Sequence, residues 1–443
     1  TDDDEEDQGE KRRQGIVEVS PEALMPEYGV SFSEDQEEAY REVASRLCNG
    51  ERYTALFGYA GTGKTFLTAR LVGELVNEDC RVQVCAPTHK ATQVLREELE
   101  TEAPVSTLHS HLGLKLEPGE NGEYHLVPDG EKVMREGIVV VDEASMIGKE
   151  EWEYIQASPM WVQWLFVGDP AQLPPVNEEE SPAMMVEGPT LEKVHRQAKD
   201  NPILKLATQI RNHTVGTVES EFEDGRGIGC TDDKESFIDS ALTAFGTDRF
   251  EENAAHARVL AYRNKRVEWY NQEIRRRRVG PNAERFVEGE WLVARETWLK
   301  ETTPCLTNSE EVRVRETGTT LRESEDQSEW KTWELLVETA REKEKKTIYV
   351  LHENEAERYE KELQRRRERA EDDPSKWRRF FDLKEEFAEV DYAYATTVHR
   401  SQGSTYNTAF VDLRDVRRRR GPEGRALLYV AVTRPSDRLG LLV

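Results

Sequence analysis

A glycine-rich run near residue 60 has the residue types of a phosphate-binding loop. It reads Gly58-Tyr-Ala-Gly61-Thr-Gly63-Lys64-Thr65, which matches the pattern GxxxxGK followed by Ser or Thr, and it lies between a predicted strand and a predicted helix. Glycines let backbone N–H groups wrap phosphate oxygens, the lysine reaches the β- and γ-phosphates, and the threonine hydroxyl takes a Mg²⁺ position. The sequence therefore predicts a nucleotide and Mg²⁺ site here.

Two carboxylates close an apolar run further along the chain. Asp142 and Glu143 directly follow a run of isoleucine and valine that starts at Ile138. Asp142 would hold Mg²⁺ through water, and Glu143 would orient and deprotonate an attacking water. Such a pair by itself is usually only a charged strand end. Its place in the same predicted domain as Lys64 instead favours phosphate chemistry.

Three further side chains could act on a terminal phosphate. Gln172 follows another strand in a proline-stiffened loop, and it could contact the phosphate or its water without adding charge. Arg196 and Arg434 carry planar charges that suit the equatorial oxygens of a phosphoryl group in transfer. Either arginine could also be an ordinary surface residue.

Alternating strands and helices would position these groups. Four nearly continuous apolar runs have the pattern of strands buried on both faces. They are Tyr53–Phe57, Val82–Ala86, Ile138–Val141 and Trp164–Val167. A helical stripe follows the first run and consists of Leu67, Leu71, Val72 and Leu75. The alternation predicts an α/β fold with a parallel sheet and crossover helices.

A second α/β block begins near Pro202 and is then interrupted. Its predicted strands are Val259–Tyr262, Tyr392–Ala395, Thr408–Val411 and Leu439–Val443. Residues 300–390 instead contain short polar strands and a charged helix, at Glu311–Val314, Trp333–Glu338, Thr347–Leu351 and Glu353–Asp373. We predict that this stretch is an inserted domain, a small barrel with a helical arm. A smaller insertion at residues 115–136 has turn pairs on both sides of Tyr124–Val127, which is typical of a β-hairpin.

The composition limits the class of protein. The chain has 443 residues, 37% hydrophobic and 34% charged, with a formal net charge of −27. Such a length corresponds to roughly two to four domains. Residues 1–13 are almost wholly charged and no run is long and apolar enough for a membrane span, so we expect a solvated tail, no secretory signal and a cytoplasmic protein. Five scattered cysteines without a CxxC pair indicate neither a disulfide framework nor a zinc site.

The motifs, in their order along the chain, resemble the motif series of superfamily 1 helicases. They are most similar to the 5′→3′ branch, which includes the Dda-like and RecD-like enzymes. The resemblance spans roughly residues 30–443 and rests on Phe32–Gln36, the glycine-rich loop, Ala86–Lys90, Thr107–His109, Asp142–Glu143, Gly168–Gln172, Arg196, Thr397–Thr405 and Val432–Arg434.

The resemblance implies two RecA-like domains, with ATP in the cleft between them and single-stranded DNA across their tops. Gln36 would then read the adenine, and Gly403 would belong to the nucleotide site. Arg196 and Arg434 would reach the γ-phosphate from the far side of the cleft. Mg²⁺ would accompany the nucleotide.

The resemblance also implies DNA contacts from both domains. They are Thr88, His89, Thr107 and His109 in the first domain, and Thr397, His399 and Ser401 in the second. Hydroxyl and imidazole groups can donate to phosphates or stack on bases without much positive charge. Some of these side chains could instead only cap helices.

The hairpin at 115–136 occupies the place of the strand-separating pin in Dda-like helicases. The candidates for its wedging side chain are Tyr124, His125 and Val127, although no bulky aromatic falls at the expected tip. The group also carries an SH3-like barrel insertion whose arm meets the pin, and there Phe381 would be an aromatic contact for DNA. Phe380 and Phe381 could equally be core residues.

These patterns predict an acidic tail at 1–30 and a RecA-like domain 1A at 31–197 that carries the hairpin. A RecA-like domain 2A would comprise 198–299 and 391–443, and an inserted 2B domain would comprise 300–390. The implied activity is that of an ATP-dependent 5′→3′ DNA translocase and helicase acting on single-stranded DNA and ss/ds junctions. An RNA helicase and a non-unwinding, protein-displacing translocase remain open. We expect a monomer without membrane contact that meets replication or repair proteins.

The net charge, read naively, argues against a nucleic-acid partner, because phosphate binding normally leaves a basic footprint. The charge is not uniform, since Arg275–Arg278, Arg365–Arg367 and Arg417–Arg420 are basic runs. Few of the 61 basic residues are lysines. Abundant carboxylates with little lysine are typical of a surface kept hydrated in concentrated salt. We therefore predict a salt-adapted (halophilic) host or virus, and a local rather than groove-wide contact with DNA.

Overall fold

The computed structural model describes residues 20–25, 32–99, 102–119, 121–130, 134, 136–194, 201–223, 225–300, 303–324 and 327–443. Of the predicted tail at 1–30, only residues 20–25 lie in this part of the chain, and there Leu24 is buried in the core of the first sheet rather than solvated. The predicted catalytic residue Arg196 lies outside the described ranges. No helix within these ranges is long and apolar enough to cross a membrane.

Strands and helices alternate through most of the chain, whereas strands dominate between residues 291 and 351. In chain order the helices are α1 Glu34–Cys48, α2 Lys64–Asn77, α3 His89–Glu98, α4 Leu108–Leu112, α5 Lys149–Ala157, α6 Pro202–Arg211, α7 Lys234–Phe245, α8 Asp248–Glu252, α9 Asn264–Arg278, α10 Ala356–Asp372, α11 Trp377–Lys384, α12 Leu413–Val416 and α13 Gly421–Thr433. The strands are β1 Tyr53–Gly58, β2 Val82–Ala86, β3 Val105–Thr107, β4 Leu114–Pro118, β5 Tyr124–Pro128, β6 Gly137–Val141, β7 Val162–Gly168, β8 Thr190–Leu191, β9 Glu221–Glu223, β10 Arg226–Thr231, β11 Ala257–Ala261, β12 Trp291–Ala294, β13 Trp298–Lys300, β14 Thr303–Leu306, β15 Glu311–Glu323, β16 Glu329–Thr339, β17 Lys345–Leu351, β18 Val390–Tyr392, β19 Ala395–Thr397, β20 Tyr406–Asp412 and β21 Pro435–Leu442.

The first sheet is parallel and has the order β3-β2-β6-β7-β1-β8. Strands β6 and β7 are buried along their whole length, which is why they read as continuous apolar runs. The predicted helical stripe of α2 packs into the core of this sheet. The predicted strands and the helix of this block are confirmed. Because β1 ends at Gly58, the glycine-rich loop lies at the carboxyl edge of the sheet.

A second sheet has the order β19-β11-β20-β21-β10-β9, with β9 antiparallel at its edge and the other neighbours parallel. The α/β class with parallel sheets is thus confirmed. One strand prediction is wrong, because Tyr392–Ala395 is not a single strand. The chain leaves β18 and enters β19 through Ala393 and Tyr394, whose backbones bond to Trp291 and Val259 in two different sheets. Both residues are buried at this junction, and their burial rather than a strand explains the apolar run.

The inserted region forms an antiparallel sheet with the order β17-β16-β15-β12-β18. Strands β15 and β16 run for 13 and 11 residues, longer than predicted, because their pairing continues beyond the core to Glu323 and Glu329. The Ala388 N–H donates to the Tyr349 carbonyl at 2.8 Å, which brings the start of β18 close to β17. The predicted charged helix is α10. Classification of this unit as an SH3-like barrel stays a prediction.

Strands β4 and β5 pair antiparallel at the place of the predicted hairpin. Leu114 lies opposite Pro128, and Pro118 lies opposite Tyr124 next to the turn. The role of this hairpin as a strand-separating pin stays a prediction.

Candidate functional site

The phosphate-loop pattern folds into a tight loop between β1 and α2. Gly61 and Gly63 have φ angles of +77° and +88°, which residues with a side chain rarely adopt. The Lys64 ammonium donates to the carbonyls of Gly58 and Tyr59, at 2.5 Å and 3.3 Å. The lysine therefore turns back over the loop. A concave loop that opens a helix and carries one ammonium group fits the phosphates of a nucleotide.

Gln36 reaches this loop from helix α1. Its amide nitrogen donates to the Thr62 carbonyl at 3.1 Å, and its amide oxygen accepts from the Ser33 N–H at 3.2 Å. The residue is buried. The structure thus places Gln36 beside the phosphate loop, whereas its contact with adenine stays a prediction.

Asp142 and Glu143 follow β6, which is two strands away from β1 in the sheet. The Glu143 N–H donates to Asp142 Oδ1 at 2.8 Å, and Glu143 has a left-handed backbone with φ +52°. Burial, followed by the neighbouring Glu143 carboxylate, raises the pKa of Asp142, whereas the Lys64 ammonium lowers it. The net direction is upward, so the Lys64 ammonium only partly offsets the burial and the neighbouring charge at Asp142.

The donor atoms at this site fit Mg²⁺. This ion prefers oxygen ligands and is usually held by one or two carboxylates together with substrate phosphates. Asp142 supplies a carboxylate whose charge is not balanced, and Thr65 supplies a hydroxyl at the start of α2. In the described ranges, no group of three or more His, Cys, Asp or Glu side chains could hold a metal ion. The donors thus suit an ion that completes its coordination with substrate oxygens and water.

Asp169 lies beside the same loop at the end of β7, and the Gln172 N–H donates to the Asp169 carbonyl at 3.1 Å. Asp169 Oδ2 lies 3.9 Å from the Lys64 ammonium, and Oδ1 accepts from the Ala171 N–H at 2.9 Å. The Gln172 Oε1 atom is buried without a hydrogen-bond partner among the described residues. A buried acceptor usually has a partner, so this oxygen suits a ligand or water at the site.

Tyr429 was not among the predicted site residues, yet it contacts the phosphate loop and the neighbouring Asp169. Its hydroxyl donates to Asp169 and accepts from the Ala60 N–H in the phosphate loop, both at 2.8 Å. It extends from α13, which belongs to the second sheet's layer. In the sequence it stands in an apolar run shortly before Arg434, and that run gives no signal of a site residue.

Arg434 and Gly403, the other groups predicted for the nucleotide site, contact residues outside the phosphate loop. Arg434 is buried, and its guanidinium donates to the carbonyls of Val430 and Ser404, both at 3.2 Å. Gly403 approaches the first domain closely, since a Cβ there would lie 3.1 Å from Ala91 Cβ. In this arrangement Arg434 is held by its own domain, so a contact with the γ-phosphate would require its release.

Three threonines predicted to contact DNA cap backbone groups instead. Thr88 accepts from the Ala91 N–H at 3.1 Å, and Thr107 accepts from the Ser110 N–H at 3.2 Å. Thr397 accepts from a backbone N–H at 3.2 Å in the same way. The capping alternative therefore accounts for these three hydroxyl groups, although each retains a donor proton for a phosphate.

The predicted histidines have different surroundings. His109 Nε2 lies 3.1 Å from the Glu151 carboxylate, which fixes its ring. His399 lies against Tyr262, with 5.9 Å between ring centroids. Burial lowers the pKa of both His89 and His399, so each ring stays neutral at neutral pH. Neutral imidazoles can still stack or hydrogen-bond.

Two predicted DNA contacts need correction. Ser401 is 0% exposed, and its hydroxyl donates to the Val398 carbonyl at 2.7 Å. Phe381 is 2% exposed and packs with Trp377 and Ala370, so the core alternative is the one observed. Neither side chain can touch a nucleic acid in this arrangement, because protein atoms already cover both.

Phe381 instead connects the hairpin to the inserted region. The Tyr124 ring meets it edge-on at 4.9 Å between centroids, and the Tyr124 hydroxyl donates to Glu385 at 2.6 Å. At the hairpin turn Gly122 has φ +81°, and a Cβ there would lie 2.4 Å from the Trp377 indole. The hairpin tip is therefore held against α11. His125 is the predicted tip residue that stays exposed.

Comparison with known proteins gives two family matches. Residues 31–233 match the model of an AAA domain, and residues 392–442 match the UvrD-like helicase C-terminal domain. The ATP-dependent DNA helicase Dda of Enterobacteria phage T4 is 27% identical over 281 residues, which cover 61% of this chain and 62% of Dda. The ATP-dependent RecD2 DNA helicase of Deinococcus radiodurans is 34% identical over 182 residues, 40% of this chain and 23% of that protein.

This chain is related to the superfamily 1 helicases. The resemblance that the motif series predicted is thereby confirmed. The chain spans less than two thirds of either relative's length. The alignment with a solved structure of a Pif1 helicase from Bacteroides covers 93% of this chain and 92% of the Pif1 chain, with 16% identity and a TM-score of 0.47.

The two matched segments contribute the two sides of one contact between the sheets. The helicase segment at 392–442 carries Tyr429, and the AAA segment at 31–233 carries its partners Ala60 and Asp169. The contact that joins the sheets thus runs between the two regions that carry the helicase relationship.

Proposed function

We propose that the protein is an ATP-dependent 5′→3′ single-stranded DNA translocase and DNA helicase that unwinds duplex DNA. The observation that carries this proposal is the phosphate loop at the edge of the first sheet, with Tyr429 of the second sheet's layer bonded to it. A nucleotide in that loop would lie between two α/β units, where its binding and hydrolysis can change their relative position. The similarity to Dda and RecD2, which are both named ATP-dependent DNA helicases, supports DNA as the polymer along which the protein moves.

Each residue of the nucleotide site has a proposed role. Lys64 would leave the loop carbonyls and neutralise the β- and γ-phosphates. Thr65 and Asp142 would hold Mg²⁺, which supplies positive charge beside the phosphates. Glu143 would orient and deprotonate the attacking water. Gln172, whose side-chain oxygen has no hydrogen-bond partner among the residues that the structure describes, would position that water or the phosphate.

The second domain would complete the site. Arg434 and, outside the described residues, Arg196 would stabilise charge on the transferring phosphoryl group. Gln36 would contact the base, and Gly403 would let the second domain approach closely. We propose the boundaries 31–197, 198–299 with 391–443, and 300–390 for the three units. The antiparallel sheet extends slightly beyond the last range, because it includes β12 and β18.

The DNA would cross both units at the residues that follow β2, β3 and β19. His89, His109 and His399 supply imidazoles there, and Thr88, Thr107 and Thr397 keep a hydroxyl proton free for phosphates. These contacts would be short-range and would not need a continuous basic groove. This placement supports a local contact between an acidic protein and DNA.

The hairpin would separate the strands. Docking of its tip on α11 through Tyr124 and Gly122 would make it a rigid wedge, since a wedge must resist the force of the duplex. His125 is the exposed aromatic side chain at the tip and would meet the junction. The inserted sheet and its helices would then act as the support of the wedge.

Unwinding of duplexes that carry either a 5′ or a 3′ single-stranded overhang tests the proposal, with ATP and Mg²⁺ present. We expect unwinding from the 5′ overhang, and preference for the 3′ overhang would contradict the polarity. Lys64→Ala should abolish ATP turnover and leave a folded protein. Lys149→Ala, at an exposed lysine of α5, is the matched control.

The alternatives give different results in the same experiments. An RNA helicase would hydrolyse ATP faster with single-stranded RNA than with DNA. A protein-displacing translocase would remove a bound protein from single-stranded DNA without separating strands. Either result would replace the DNA-unwinding proposal while retaining the ATP site.

A further inference from the structure

The three basic runs of the chain differ in how their charge is balanced. Every arginine of Arg275–Arg278 and of Arg365–Arg367 forms an ion pair with a carboxylate. In the run Arg417–Arg420, by contrast, the guanidinium groups of Arg417 and Arg420 form no ion pair with any residue that the structure describes. Carboxylates are abundant in a chain with a net charge of −27, so cations left without one point to a partner outside the chain.

This third run is part of an exposed patch on the second α/β unit. Arg417–Arg420 form the turn between α12 and α13, and all four residues are exposed. Arg425, about one turn into α13, is also exposed. Within the described ranges, the carboxylates that pair with these five arginines are Asp415 and Glu423. The arginine patch, defined as Arg417–Arg420 with Arg425, therefore keeps a net positive charge.

A buried carboxylate fixes the arginine patch beside His399. Asp415 stands in α12 just before the patch and is 2% exposed. Its Oδ2 atom accepts from the backbone N–H groups of Tyr262 and Arg263, both at 2.9 Å. The Tyr262 ring in turn lies 5.9 Å from the His399 ring, between centroids. Asp415 thus ties the turn that carries the patch to the residues that follow β11 and β19.

The charges of the patch also reach His399. Burial lowers the pKa of this histidine, the Glu423 carboxylate raises it, and the Arg419 guanidinium lowers it. Such effects fall off with distance, so the imidazole and the arginine patch lie close together. The patch therefore continues the surface on which His399 was predicted to contact DNA.

The chemistry of this surface suits a single-stranded nucleic acid. The planar guanidinium group matches the oxygens of a phosphate with two parallel hydrogen bonds. Aromatic and imidazole rings can stack on unpaired bases, and Tyr262 with His399 supplies such rings beside the arginines. An acidic protein segment would use the arginines but not the pair of rings. The combination of both therefore favours a nucleic-acid strand.

Resting on the DNA-binding activity proposed above, we propose that the arginine patch is an additional phosphate-binding site for the single strand. The strand continues past His399 onto the turn between α12 and α13, where Arg417, Arg420 and Arg425 contact its phosphates. This site lies outside the motif residues predicted to bind DNA. Phosphate contacts add affinity without base specificity, so the patch holds the strand whatever its sequence.

The test compares two double variants that each remove two exposed arginines. One combines Arg417→Gln with Arg420→Gln. The matched control combines Arg365→Gln with Arg367→Gln, whose side chains are 56% and 59% exposed but form ion pairs. Binding of a single-stranded DNA oligonucleotide is measured for both and for the wild type across a KCl series.

The patch variant should lose part of the salt dependence. Each phosphate contact to a single strand contributes about 0.7 to the slope of log affinity against log salt, so the slope should be less steep by about 1.4. Referred to about 1 M salt, where the difference vanishes, this slope corresponds to binding that is about 25-fold weaker at about 0.1 M KCl. The control should keep the wild-type slope. Arg417→Lys with Arg420→Lys should also keep it, because an ammonium group neutralises a phosphate as well.

Three results overturn the inference: a wild-type slope in the patch variant, the same loss in the control, or the same loss with lysine. The first would leave an acidic protein segment as the partner of the patch. In each of these cases the wild type still binds DNA, and the proposed function stands. If the wild type itself binds no single-stranded DNA at any salt concentration, the proposed function fails and the inference fails with it.

Discussion

The Lys90 ammonium lies 2.9 Å from Glu311 Oε1, and the same oxygen accepts from Arg258 at 2.6 Å. Lys90 belongs to α3 beside the first sheet, Arg258 to β11 of the second sheet and Glu311 to β15 of the inserted sheet. Burial would raise the pKa of Glu311, but the two cations outweigh it, and the pKa is lowered. One carboxylate thus joins all three units of the molecule.

Substitution of this carboxylate should destabilise the protein. Glu311→Gln leaves the Arg258 guanidinium, whose side chain is 1% exposed, without its counterion. Removing one partner of a buried pair typically costs about 3 kcal/mol of unfolding free energy. Urea denaturation measures the loss. Glu37→Gln, which removes an exposed pair with Arg41, is the control and should change stability by less than about 0.5 kcal/mol. Equal effects of the two variants would show that Glu311 does not bridge the units.

Glu143→Gln should separate nucleotide binding from hydrolysis. The amide keeps the size of the side chain but cannot accept a proton from water, so turnover should fall about 10²-fold or more. Binding of the ATP analogue should remain, because the phosphate loop is untouched. The measurement is single-turnover hydrolysis alongside equilibrium binding. Glu150→Gln, at an exposed position of α5, provides the control. Hydrolysis at the wild-type rate in Glu143→Gln would rule out this residue as the base.

The contact between Tyr124 and Phe381 should be needed for unwinding more than for ATP hydrolysis. Tyr124→Ala frees the hairpin tip, so strand separation should decline while hydrolysis stimulated by single-stranded DNA stays near the wild-type level. A double-mutant cycle with Phe381→Ala should give a coupling of about 1 kcal/mol in unfolding free energy, as expected for an aromatic pair.

The control for this contact is Phe222→Ala, because the Phe222 side chain is 63% exposed and lies in another unit. Its cycle with Tyr124→Ala should give no coupling. Additive effects of Tyr124→Ala and Phe381→Ala would contradict a rigid docking of the hairpin. Tyr124→Phe separates the ring contact from the hydrogen bond to Glu385.

His111 should make the protein less stable in mild acid. Burial lowers the pKa of this histidine from 6.5 to about 4, and its Nε2 atom has no hydrogen-bond partner within the described residues. The unfolded chain therefore takes up the proton first, and stability falls as the pH drops below the unfolded pKa. Between about pH 8 and about pH 5 the loss should be about 2 kcal/mol.

Comparison with His111→Phe isolates the pH-dependent loss of stability that His111 causes. A phenylalanine ring can make the same edge-on contact with Trp164 but cannot be protonated. Urea denaturation at the two pH values should show that acid lowers the unfolding free energy of the variant less than that of the wild type. Parallel pH curves for the two proteins would mean that His111 is not buried as a neutral ring.

The acidic surface should tolerate, and benefit from, concentrated salt. Screening shortens the range of repulsion among the carboxylates of a chain with net charge −27. The melting temperature should therefore rise with KCl to about 2 M, and DNA binding should depend on salt less steeply than for a basic groove. Thermal melting and DNA titrations across a KCl series provide the measurements. A steady decline of melting temperature with KCl would remove the salt-adaptation hypothesis.

The α/β class followed from the residue pattern alone, because strands buried on both faces must be apolar along their whole length and a helix must present one apolar stripe. The pattern also located the phosphate loop, since Gly61 and Gly63 need backbone angles that only glycine adopts easily. Both signals are local: a few neighbouring residues contain them completely. The misjudged strand at Tyr392–Ala395 marks the limit of such signals, because burial at a junction between sheets gives the same apolar run.

The relationships between distant residues depend on how the folded units pack together. Tyr429 meets Ala60 and Asp169, and Glu311 meets Lys90 and Arg258, although long stretches of chain separate them. Phe381 likewise packs against Tyr124 of the hairpin instead of being an exposed aromatic, and this contact also joins residues that are distant in the chain. A side chain's type states which bonds it can make, but the packing of three separate sheets determines which partner lies within 3 Å and whether water is excluded there.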